Sequence, residues 1–191
     1  MFYPNDKACL VIAVRYSVVT MLITALTASS HQVHASDDVV LDLLKGYEWR
    51  LQEDKLQSIG PDAYKSLLNI ADDAGQVNFI RARAALALTM FPNDEVWDFY
   101  EREITMGQNR IRRRQLVQNF CTSFLQTRPN RVESALMPLL SASDAHLRSN
   151  TARCLQKIDS EQARAALESY RRTISEAWEL RAAGFDMKEK R

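Results

Sequence analysis

The chain has 191 residues, room for one ordinary domain or two small ones. Its 46% apolar and 26% charged residues suit a globular protein and exclude a disordered tail. Five Gly and five Pro are too few for the tight turns of a sandwich or barrel, and a net charge of +1 gives no electrostatic ground for binding nucleic acid or anionic membranes.

The first predicted element is an export segment. Lys7 and Arg15 lead into an apolar stretch over 16–28, and small and polar residues follow up to Val33-His34-Ala35. This is the layout of a secretory signal peptide, with the mature chain beginning at Ser36. The competing expectation is a membrane anchor over 8–28, nominally long enough to span. Arg15 near its middle makes such a span costly, so no membrane insertion is expected after cleavage. Cys9 is not read as a lipid acceptor, because Asp6-Lys7-Ala8 before it is not an apolar run. Without residues 1–35 the basic and acidic side chains are equal in number, His146 is the one histidine left, and Cys121 and Cys154 are the remaining cysteines.

From there the period is helical and no run alternates as a strand would. Residues 38–56 read as one amphipathic helix with a possible interruption at Gly46, its stripe being Val40, Leu43, Leu44, Tyr47 and Leu51. Pro61-Asp62 opens a helix that ends near Gly75, and Asn78 caps one that Pro92 stops. A helix from Asp94 ends near Gly107, and Asn109 caps a long one over 110–126. Helices over 131–140, 144–158 and 161–183 complete the chain, the last with Ala163, Leu167, Tyr170, Ile174 and Trp178 on one stripe. Trp49, Trp97 and Trp178 are all assigned to the core.

This inventory removes many enzyme classes. No G-x-S-x-G, H-E-x-x-H, C-x-x-C or phosphate-binding glycine loop occurs, and a lone His146 cannot build a multi-histidine zinc site. No catalytic residue, cofactor or metal is therefore expected.

Three segments superimpose: Arg81-Ala-Arg-Ala-Ala-Leu-Ala-Leu88, Arg113-Arg-Gln-Leu-Val-Gln-Asn-Phe120 and Arg148-Ser-Asn-Thr-Ala-Arg-Cys-Leu155. Each has Arg, two free positions, a small or apolar pair, two free positions, then Leu or Phe, and each falls on every second helix. With Asp144, Leu147, Arg148, Ala152, Leu155, Asp159, Ala163 and Leu167, the stretch 144–167 resembles the short bacterial form of the HEAT repeat. The likeness is fair over 61–91 and weak over 94–126, where Arg112 takes the usual apolar place. It implies an all-α solenoid of stacked antiparallel helix pairs over 61–183, a capping region over 36–60 and a polar tail over 184–191. One helical hairpin cannot bury both faces, so neighbouring units would have to stack. The resemblance also assigns the second helix of each pair to the concave surface.

The second helices are rich in arginine and the first in acids, which predicts a basic groove on a neutral protein. Arg81, Arg113 and Arg148 stand two turns before Leu88, Phe120 and Leu155 on the same face, and are assigned to a part-buried ladder. Arg83, Arg114, Gln118, Asn150, Arg153 and Lys157 project away from it and are the candidates for partner contact. The run Arg110–Arg114 invites a nucleic-acid reading, but on a neutral exported chain with no general base it is disfavoured. His146 beside Asp144 is read as an exposed turn residue.

The expected function is an exported, periplasmic, non-enzymatic scaffold for a protein or peptide, an acidic one matching the groove. The alternative is an accessory subunit of an exported enzyme. Cys121 and Cys154 lie on opposite flanks of their helices, so the expected state is two free, buried thiols packing as small apolar residues, with a disulfide the alternative that export permits.

Overall fold

The computed structural model describes residues 37–185, so the expected signal segment with its end at Ala35, and the tail beyond Phe185, lie outside the described residues. Helix α1 covers 37–44. It is followed by α2 (Glu53–Ile59), α3 (Ala63–Asp72), α4 (Asn78–Ala87), α5 (Asp94–Met106) and α6 (Arg110–Phe124). Then come α7 (Pro129–Leu136), α8 (Ala145–Leu155), α9 (Glu161–Thr173) and α10 (Ala177–Ala182). Tight single turns over Leu88–Met90 and Met137–Ser141 extend α4 and α7. The described residues are all-helical, with no strand.

Short polar side chains start the well-formed helices by accepting backbone N–H groups that have no partner within the helix. Asn93 accepts from Val96, Asn109 from Arg112, Asp144 from His146 and Leu147, and Ser160 from Ala163. Three expectations need correction. Asn78 does not cap α4: Val77 precedes the helix and no side-chain cap forms. The helix expected over 38–56 stops at residue 44, and Gly46 at φ 102° turns the chain away. Tyr47 therefore leaves the apolar stripe and is fully exposed. The helix expected over 161–183 breaks after Thr173, since Ile174 and Glu176 take extended backbone. The break turns Trp178 out of the core: it is 38% exposed, with its ring 4.9 Å from that of His146.

Helix α3 packs on α4, α5 packs on α6, and α6 lies between α4 and α8. Arg114 and Asn150 meet near the start of the α6–α8 contact, while Cys121 and Cys154 meet near its end, so these two helices run the same way. The core is one continuous cluster. At its centre Trp97 and Tyr100 of α5 interlock with Phe120 and Phe124 of α6, ring centroids 4.6–6.3 Å apart. Tyr100 donates its hydroxyl to the Ala85 carbonyl oxygen, which joins the cluster to α4. Trp49 is half-buried and donates its ring N–H to the Leu43 carbonyl oxygen at 2.8 Å.

Candidate functional site

The arginines that share the apolar face bind backbone oxygens left over at the C-termini of the preceding helices. Arg81 Nε donates to the Ala71 oxygen at 3.1 Å, and Arg113 donates twice to Ile104 at 3.0 and 2.8 Å. Arg148 donates to Ala142 at 2.7 Å and to the Glu179 carboxylate at 2.8 Å. These guanidiniums supply donors where a helix has carbonyls without an intrahelical partner. Glu179 is buried and also accepts from the Tyr170 hydroxyl at 2.8 Å. Burial, reinforced by that carboxylate, pushes the Tyr170 pKa up to about 12. Burial works against the Arg148 charge, but the bond to Glu179 outweighs it and raises the Arg148 pKa. A hollow beside this network, lined by Met137, Leu140, Ala166 and Tyr170, has its charged groups already paired.

The six side chains expected on the contact surface divide. Arg83 is not free: it donates to the Leu44 and Gly46 oxygens at 2.7 and 3.0 Å and lies between the Trp49 and Phe79 rings. Arg114 is not free either, since it makes a two-pronged ion pair with Asp144 at 2.7 and 2.8 Å. Both partners lie 30 residues or more along the chain, beyond the reach of helical periodicity. Gln118, Asn150, Arg153 and Lys157, by contrast, come together on one cleft of about 520 Å³ between α6 and α8. Asn150 is partly engaged, donating to the Arg114 carbonyl oxygen at 3.0 Å. Arg153 near the end of α8 and Lys157 in the turn that follows it are exposed and carry no ion pair among the described residues. Cys121 and Cys154 are not the two free thiols expected: they form a disulfide that contributes to the wall of this cleft.

Asp144 joins fold and site. Burial pushes its pKa up, but the Arg114 guanidinium and the N–H groups of Leu147 and His146 more than offset this and hold it below the ordinary carboxylate value. A carboxylate with a depressed folded pKa stabilises fully above its unfolded pKa, and that contribution is lost as pH falls through the folded value. Asp144→Asn keeps a capping oxygen and loses the charge, so it should cost about 1–2 kcal/mol near pH 7. Urea midpoints against pH check this: the gap to the parent should be constant above about pH 5 and shrink below about pH 4. A gap that persists to low pH would remove the ion pair from the account.

The sequence reading missed a second hollow, between the starts of α4 and α6, to which Phe79, Ala82, Ile111 and Gln115 contribute. Phe79 is 55% and Ile111 66% exposed. Arg112 on its edge is already paired with Glu103 at 2.7 Å and bonded to the Ala71 oxygen at 2.9 Å. The signal was present in α6: Ile111 is out of phase with Leu116, Val117 and Phe120, which face the core.

Among the described residues no group of three His, Cys, Asp or Glu side chains is placed to hold a metal ion, and no helix is long and apolar enough to cross a membrane. No family model, curated protein or solved structure matches the chain.

Proposed function

We propose that the protein is an exported, non-enzymatic adaptor of HEAT-like solenoid type that binds an acidic protein or peptide segment on the face made by α4, α6 and α8. The repeated Arg-x-x-small-pair motif on these three helices, their contacts with one another and the shared direction of α6 and α8 support the stacked-pair reading. The leader-like composition of residues 1–35 supports export to the periplasm.

One observation carries the binding assignment. Arg153 and Lys157 stand exposed over a cleft whose lining has no carboxylate. The one acid adjoining α8 at its start, Asp144, is already neutralised by Arg114. Unpaired cations on such a face steer and orient a negatively charged segment. The alternative, an accessory subunit of an exported enzyme, uses the same face, with the chemistry on the partner.

Titration with a fluorescein-labelled Glu-rich peptide and with a duplex DNA oligonucleotide tests the assignment. Peptide binding should weaken with salt and drop about ten-fold or more in Arg153→Glu/Lys157→Glu, with the melting temperature unchanged, because neither side chain has a partner to lose. DNA bound more tightly than the peptide would replace this reading by a nucleic-acid one.

A further inference from the structure

The two hollows lie along one exposed stripe of α6. Ile111, Gln115, Gln118 and Thr122 are all exposed and follow one another at intervals of four, three and four residues, a single stripe along α6. Ile111 and Gln115 border the apolar hollow shared with α4, while Gln118 and Thr122 border the cleft shared with α8. The stripe therefore leads from an uncovered apolar pocket, past two glutamines, to a pair of unpaired cations. No acid lies in α4, α6 or α8.

We propose that the segment bound here is bipartite: one bulky apolar side chain seated between Phe79 and Ile111, and two neighbouring carboxylates over Arg153 and Lys157. The proposal rests on the peptide-binding reading above and specifies its ligand. The spacing follows from helix geometry. From Ile111 to Thr122 the α6 axis rises about 16 Å, at ~1.5 Å per residue. An extended chain advances about 3.3 Å per residue, so the apolar residue and the first acid stand about five residues apart.

Each half of the surface has a reason to need the other. An exposed aromatic and an exposed isoleucine around one hollow leave apolar surface in water, which only an apolar occupant removes. Phe79 is held on one side by Arg83, itself anchored to the Leu44 and Gly46 oxygens, so the pocket wall is in place before a ligand arrives. The cations are solvent-exposed, and exposed pairs alone contribute little affinity. Charge sets orientation and encounter, and the apolar anchor slows release. The glutamines between them can donate to and accept from an extended backbone without regard to its side chains.

Labelled peptides in a Gly/Ser background, each with one Trp and a Glu-Glu pair five residues away, test this by fluorescence anisotropy in both chain orders. One order should bind. Trp→Ser, Glu-Glu→Gln-Gln, and shortening the gap to one residue should each weaken it about ten-fold or more. On the protein side Ile111→Ser should match the loss from Trp→Ser while leaving the melting curve unchanged, since the side chain is exposed. It should also leave the affinity of a Glu-rich peptide lacking Trp unaffected. If the Trp peptide and its Ser variant bind equally well, the bipartite ligand is overturned while the acidic-segment reading stands. Binding that ignores Glu-Glu→Gln-Gln overturns both, as does an absence of binding by any of these peptides.

Discussion

Phe120→Ala should lower the stability of the folded chain by about 3–5 kcal/mol, the cost typical of emptying a buried aromatic site. Phe120 is completely buried, and its ring lies 4.6 Å from Trp97, 5.5 Å from Phe124 and 6.2 Å from Tyr100. Truncation opens a void that neighbours on two helices cannot close together, because Trp97 is also tied by its ring N–H to Glu101 and Tyr100 by its hydroxyl to Ala85. Phe120→Leu keeps most of the volume, and the corresponding positions in the other two segments are Leu88 and Leu155; it should cost under about 1.5 kcal/mol. Urea-denaturation midpoints of the two variants check the ordering. Equal midpoints would mean that the apolar volume Leu restores counts for nothing here and that the aromatic shape carries the whole effect.

Reduction of the Cys121–Cys154 bridge should remove about 3–4 kcal/mol. The two cysteines are 33 residues apart in sequence, and the cross-link takes that loop's conformational freedom from the unfolded chain. Both sulfurs are buried, so they pack as small apolar groups even when reduced, and the loss is felt mainly through the unfolded ensemble. Comparing urea midpoints of oxidised and reduced protein reads the difference, and thiol titration of the denatured, unreduced protein should find no free group from this pair. The bridge also ties α6 to α8 beside Arg153 and Lys157, so reduction should weaken acidic-peptide binding at urea concentrations where both forms are folded. Equal midpoints in the two redox forms would leave helix packing alone to hold this cleft.

The positions of the helices were legible because the instructions are local. Asn109 and Asp144 stand where a side-chain oxygen reaches the N–H two or three residues on, and that geometry needs no neighbour from elsewhere in the chain. The alternation of Leu116, Val117 and Phe120 with exposed polar residues placed the buried face of α6 for the same reason. Where the reading failed, a local pattern had two outcomes. The stripe through Ile174 and Trp178 is as good on a straight helix as on a broken one, and in the fold the chain breaks after Thr173 and α10 docks on α8. Ile111 is legible in principle, being out of phase, but a single apolar residue among four arginines sets up no periodic stripe of its own.

The sequence by itself therefore determined the all-helical class, most of the helix limits, and the face of each long helix that turns inward. These depend on contacts three or four residues apart, which the order of residues specifies directly. Only the tertiary structure decided the fate of side chains on the remaining faces. Arg113 and Arg114 are neighbours in sequence, but one finds the Ile104 carbonyl nine residues back and the other the Asp144 carboxylate 30 residues on. The closure of Cys121 on Cys154 was settled in the same way, and so was the gathering of Gln118, Arg153 and Lys157 into one cleft. The register of one helix against another is the sum of many packing contacts between distant segments. No periodicity within a single helix contains that sum.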